Sequence, residues 1–271
     1  MIRGIIFALG VVLCSGIWAV WIASRRLHRA RLMQMPFPDA WCDILTCNLP
    51  PYKQLPDALR SRLHGYIHVF LAEKYFEGCG GQEISDTVRV TIAAQACLLL
   101  IGRNTQCYPK LRSVLVYPHT YVVGGKDDFG GQAQPPSARL GESWQSGVVV
   151  LSWNSVKGGA TNFDDGHNVT IHEFAHQLDQ EDGAADGTPI LDGFSCYRTW
   201  AIALSGEYGS FLKRVRSYRK TVIDSYGATN PAEFFATASE AFFEKPDQLH
   251  ERRPDLFAEL VRYYKLDPRD W

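Results

Sequence analysis

Apolar and polar positions divide the chain into an opening run and a patterned remainder. Gly4 to Ala23 (GIIFALGVVLCSGIWAVWIA) is twenty residues without a charge, and its apolar side chains leave no polar face. As a helix the run rises about 30 Å, the thickness of a hydrocarbon core, and so predicts a transmembrane segment in contact with the lipid bilayer. Trp18 and Trp21 stand near its end, where amphipathic rings favour the interface. Arg25, Arg26, Arg29 and Arg31 follow, with no acidic residue before Asp39, and only Arg3 precedes the run. A cleaved signal peptide would carry its charge ahead of the apolar stretch, and a buried core helix is disfavoured because the run has no polar face. The positive-inside rule then places the larger part in the cytoplasm: a single-pass protein of the inner membrane, with residues 1–34 as anchor and basic flank and 35–271 as one domain.

Beyond residue 35 the periodicity changes repeatedly. Leu59, Leu63, Tyr66, Phe70 and Leu71 keep helical spacing and predict a helix over 56–76, closed by the glycines at 78–81. Residues 88–102 begin β-branched and continue helix-forming; their length favours a buried helix. The stretch 111–123 reads as a strand interrupted at Pro118, 124–146 as an exposed loop rich in glycine and proline, and 148–153 (VVVLSW) as a short strand. Helices are predicted over 168–180, 196–216, 231–244 and 254–265, with Pro231 and Pro254 at first-turn positions. Mixed elements followed by helices predict an α+β fold with a small sheet and a mainly helical C-terminal half.

Composition narrows the function. With 28 basic and 29 acidic residues, the formal charge of −1 disfavours a nucleic-acid binder. Aromatic residues at 12% and recurrent apolar runs exclude disorder for most of the length. Seven cysteines, odd in number and irregularly spaced, fit a reducing compartment better than a disulfide framework.

One motif carries chemistry. In His172-Glu173-Phe174-Ala175-His176 the histidines lie four apart, so on a helix both imidazoles reach one metal ion. Glu173 lies beside them, placed to take a proton from an attacking water and return it. A catalytic zinc site needs a third protein ligand. Asp182 is a local candidate, but Asp179 stands where a glycine would turn the chain back. Glu233 and Glu240 are distant candidates: seven residues apart, they share a helical face among Phe234, Phe235, Phe242 and Phe243. A carboxylate on so apolar a helix is costly unless paired or metal-bound, and spacing alone does not rank the two.

Four stretches together bear a resemblance to a known family: VRVTIAAQACLLL (88–100), LGESWQSGVVVLSW (140–153), GHNVTIHEFAHQLDQEDGAADGTP (166–189) and SYGATNPAEFFATASEAFFEKP (225–246). They occur in the expected order, cover most of residues 35–267, and resemble the Mlc titration factor A family of zinc-dependent peptidases, gluzincins related to the anthrax lethal factor catalytic domain. The resemblance implies a zincin-like domain holding one Zn2+ on His172, His176 and Glu233. It implies that Tyr226 lines the site and stabilises an oxyanion, and that Glu240 sits outside the metal ligands. It further implies a peptide or protein substrate, aminopeptidase-type activity, and a regulatory partner, the transcriptional repressor Mlc. The strand VVVLSW is expected at a sheet edge, where an extended substrate would pair with it. Two functions follow as expectations: a zinc metallopeptidase, or a membrane-tethered protein that sequesters a transcription factor with incidental hydrolysis.

Overall fold

A computed structural model describes the backbone of residues 2–119, 121–122, 138–139, 141–144 and 147–271, and side chains over 12–119 and 147–271. The chain begins with helix α1 (Ile2–Met33), followed by α2 (Asp39–Asn48) and α3 (Asp57–Glu73). Strand β1 (Tyr75–Gly78), helix α4 (Asp86–Leu98) and strand β2 (Ser113–Tyr117) come next, then the short strands β3 (Tyr121–Val122), β4 (Ala138–Arg139) and β5 (Gly141–Trp144). Strand β6 (Val148–Ser152) leads into helices α5 (Trp153–Thr161), α6 (Val169–Asp179), α7 (Phe194–Arg216), α8 (Pro231–Glu244), α9 (Pro246–Arg252) and α10 (Pro254–Tyr264).

The main sheet runs β1-β2-β6-β5, and the first three strands are parallel. Parallel neighbours require a crossover, which α4 supplies between β1 and β2. Strand β5 closes the sheet antiparallel to β6, with Trp144 opposite Val148. Gly147, at φ 82°, makes the turn between them, and a Cβ there would lie 2.4 Å from the Lys110 carbonyl oxygen. The interior positions of β2 and β6 are Val114, Val116, Val149 and Leu151, all buried, as expected of strands covered by helices.

These observations correct the α+β expectation on two counts. The sheet is mainly parallel, and helices dominate both halves of the chain, because the crossover and the segment before it are helical. The transmembrane helix is also corrected. Among the described residues no helix is long and apolar enough to cross a membrane, which removes the basis for a single-pass inner-membrane location. The end of α1 is committed to protein: Arg29 forms an ion pair with Glu73 at 2.5 Å, and Met33 lies against Gly65 of α3. All seven cysteines are free.

The remaining differences are local. The helix predicted over 56–76 stops at Glu73, and Tyr75–Gly78 is a strand paired with β2. Most of the loop predicted over 124–146 lies outside the described residues; its described part includes β5. Strand β6 is not an edge: it is paired on both sides, and β5 flanks it.

Helix α6 occupies the middle of the molecule, packed against α4, α5, α8, β5 and β6. Its Phe174 meets Phe70 and Tyr108 at ring separations of 5.6 and 4.9 Å. Helix α8 packs across α6 and buries Phe234, Phe235, Phe242 and Phe243 against α7 and α10. Each such side chain contributes about 1.5–3 kcal/mol by leaving water, so the seating of α8 on α7 and α10 is strongly held.

Candidate metal centre

Two asparagines start the helices that build the site. Asn168 is the N-cap of α6, its Oδ1 accepting from the backbone N–H of Thr170 (3.1 Å) and Ile171 (3.0 Å). Asn230 caps α8 by accepting from the Glu233 N–H at 2.9 Å, and Pro231 takes the first-turn position that needs no N–H. His172 stands one turn into α6 and His176 one turn further, while Glu233 lies in the first turn of α8.

Their polar atoms converge. Oε2 of Glu233 lies 3.0 Å from His172 Nε2 and 3.2 Å from His176 Nε2, and the two nitrogens are 3.2 Å apart. Among the described residues these three form the group of His, Cys, Asp or Glu side chains able to hold a metal ion, with ligand atoms within 4.8 Å of one another. A four-coordinate ion with bonds of about 2.1 Å has donors about 3.4 Å apart, close to this triangle. Two imidazoles with one carboxylate, and a fourth corner left for water or substrate, are a donor set that fits such an ion.

Glu240, two turns further along α8, meets the other side of the same imidazole. Its Oε1 accepts from His172 Nδ1 at 2.7 Å, which fixes the tautomer and leaves Nε2 facing Glu233. Its Oε2 accepts from the Asn168 backbone N–H at 2.5 Å, tying α8 to the start of α6. Burial lowers the His172 pKa, but hydrogen bonds to Glu233 and Glu240 outweigh it and hold it well above the usual histidine range. Burial likewise pushes Glu233 up, yet the two imidazoles outweigh it and keep its carboxyl well below the usual range. A metal ion bound here displaces a proton from His172.

The other expected site residues are placed as follows. Glu173 is 5% exposed, on α6 between the two histidines. Tyr226 is 56% exposed, with its ring centroid 6.0 Å from that of His172. It lies in a 3-10 turn over Ser225–Ala228, started by Asp224, whose Oδ1 accepts from the Tyr226 N–H at 2.6 Å. Gly227 lets this turn lie on α8, since a Cβ would come 2.4 Å from Thr237 Oγ1. Asp182 is not brought to the histidines: it is exposed and accepts from the Ala184 N–H at 2.9 Å. Asp179 is buried at the end of α6, where Oδ2 accepts from the Gly187 N–H at 3.0 Å and burial pushes its carboxyl up to about 6.

Glu244 is a residue the sequence pattern did not single out. It is buried, with Oε1 accepting from Asn168 Nδ2 at 3.1 Å and Oε2 from the Gly166 N–H at 2.9 Å. Burial pushes its carboxyl up to about 8. Its spacing of four from Glu240 on one helical face was the available signal, because both carboxylates then point toward the start of α6.

Comparison with known proteins agrees with this arrangement. A sequence profile described as glucose-regulated metallo-peptidase M90 matches residues 23–265. An uncharacterized protein of Synechocystis is 39% identical over 254 residues, covering 93% of this chain and 90% of its own. Mlc titration factor A of Escherichia fergusonii is 30% identical over 244 residues, 88% of each chain. The protein of the same name from Serratia proteamaculans is 30% identical over 234 residues, 84% of this chain and 87% of its own.

Proposed function

The chain belongs to the glucose-regulated metallopeptidase M90 family, and from that premise we propose that it is a zinc-dependent peptidase holding one ion on His172, His176 and Glu233. The observation that carries the reading is the convergence of two imidazole nitrogens and one carboxylate oxygen within hydrogen-bond distance of one another. When bound, zinc supplies Lewis acidity at the substrate carbonyl and makes water a stronger acid.

The remaining chemistry falls to the side chains. The Glu173 carboxylate takes the proton of the attacking water and returns it to the departing amine. The Tyr226 hydroxyl donates to the oxygen that becomes negative as the carbonyl is attacked. Its exposed ring beside His172 allows the phenol to reach a bound substrate. Glu240 orients His172 from behind, so that Nε2 and not Nδ1 is offered to the ion. Removal of amino-terminal residues is the narrower form of this proposal; short peptides with free and blocked amino termini distinguish it from internal cleavage.

A second reading rests on the name shared by several relatives, Mlc titration factor A. On that reading the chain sequesters a transcriptional repressor such as Mlc, and hydrolysis is incidental. A Glu173→Gln variant tests the peptidase reading, because it alters the proton carrier without touching a metal ligand. It is expected to retain one zinc per chain and lose hydrolysis by at least about a hundredfold. Unchanged hydrolysis would overturn the assigned role. Repressor binding that survives in this variant would support the second reading.

A further inference from the structure

A groove of about 500 Å³ runs between the turn at 165–167, which precedes α6, and the segment that follows α7. Its size is that of a site for a small ligand or a few peptide residues. The floor is apolar, made by Val222 and Ile223, which are both buried. The walls are charged. On the acidic side, Asp165 is engaged by the His167 N–H at 2.8 Å and by the Asn162 side-chain amide. Asp224 is engaged by His167 Nε2 at 3.3 Å and by the Tyr226 N–H. On the basic side, Arg219, Lys220 and Lys245 line the groove and make no ion pair among the described residues. Lys245 extends over the turn itself: a Cβ on Gly166 would lie 2.9 Å from its Nζ. Both carboxylates are held by hydrogen bonds within the fold but keep their charge, so the lining carries three cations against two anions, a net positive excess.

Both walls lead to the proposed reaction centre. The turn at 165–167 runs directly into Asn168 and α6, and Asp224 stands two residues before Tyr226. We propose that this groove binds the carboxylate-bearing end of a peptide substrate, giving the site a preference for acidic or free carboxyl-terminal segments. The inference rests on the peptidase reading for the word substrate, and on charge for the choice of end. The net positive lining, with its cations unpaired and its carboxylates already hydrogen-bonded, favours a peptide's carboxylates over its free amine.

The test uses the full-length Glu173→Gln protein, so that peptide is bound without being consumed. Three fluorescein-labelled octapeptides of otherwise equal sequence are titrated by anisotropy: acidic with a free carboxyl terminus, acidic but amidated, and neutral amidated. The first is expected to bind about tenfold more tightly than the third, with the difference shrinking as salt is raised. Exchanging Arg219→Ala together with Lys220→Ala, both exposed and with no side-chain hydrogen bond or ion pair among the described residues, should remove most of that preference; Lys245→Met should do the same independently. Preference retained after amidation assigns it to side-chain carboxylates, and preference lost assigns it to the chain terminus. Equal affinity for all three peptides, or a preference unmoved by both sets of substitutions, overturns the proposal. Hydrolysis by the native protein separates the two readings. If neither acidic nor neutral peptide is cut while the preference in binding persists, the peptidase reading falls and the groove stands. If both are cut and bound alike, the groove falls and the peptidase reading stands.

Discussion

Replacing Asn168 by alanine probes the joint on which the metal centre is assembled. The side chain is fully buried and performs two tasks with its two ends. Oδ1 accepts from Thr170 and Ile171 at 3.1 and 3.0 Å, and Nδ2 donates to Glu244 at 3.1 Å and to the Gly159 carbonyl at 3.3 Å. Loss of an N-cap of this type costs about 1 kcal/mol. Leaving the buried Glu244 oxygen without its amide donor costs about 1–3 kcal/mol more. The longer bond to Gly159 contributes little. The sum, about 3 kcal/mol, is a large part of the about 5–15 kcal/mol that typically holds a domain together.

Urea denaturation followed by circular dichroism measures the effect. With a slope of about 2 kcal/mol per molar, the midpoint of Asn168→Ala should fall by about 1.5 M. Asn168→Asp separates the two contributions. It retains an oxygen for the cap but loses the Nδ2 donor to Glu244 and Gly159, so it should recover only the cap's share. A midpoint shift below about 0.5 M for the alanine variant, at unchanged slope, would refute the idea that this asparagine secures the start of α6.

Two further predictions concern the carboxylates of α8. Glu240→Gln leaves all three proposed ligands in place but weakens the acceptor opposite His172 Nδ1; zinc affinity, measured by competition with a chromophoric chelator, should fall about 10–100-fold. Glu244→Gln should change the response to pH. Because burial raises the native pKa of Glu244 to about 8 from an ordinary 4.5, the native state keeps a proton that the unfolded state has already released. Its contribution is therefore fully present below about pH 4.5, declines as pH rises, and is lost on passing about 8. The full loss has an upper bound of about 5 kcal/mol, and comparison of the two proteins by urea denaturation between pH 5 and 9 should show a flatter profile for the glutamine variant. Parallel profiles would show that Glu244 is ionised throughout.

Much of the site was legible from local pattern. Histidines four apart, an asparagine just before Val169 and a proline after Asn230 specify two capped helices, because capping and i,i+4 proximity depend only on neighbours in sequence. The helices over 168–180, 231–244 and 254–265 lie within a residue of α6, α8 and α10 at each end. Strand β1 was not legible: four residues with mostly exposed side chains have no pattern of their own, and become a strand only by pairing with β2. The opening apolar run gives no spanning helix among the described residues, and its pattern carried no sign that the end of α1, beyond the run, meets α3 through Arg29 and Met33.

The sequence by itself determined which side chains share a helical face: His172 with His176, and Glu233 with Glu240. Spacing left those two glutamates equivalent, and only the family resemblance favoured Glu233. Tertiary structure distinguished them, since the packing of α8 across α6 sets Glu233 against both Nε2 atoms and Glu240 against His172 Nδ1. Sheet order was decided in the same way, with β6 in the interior and β5 beside it. Spacing along a helix follows from backbone geometry over a few residues. The offset between two helices, or the neighbour of a strand, follows from how distant apolar surfaces fit together, which no local period encodes.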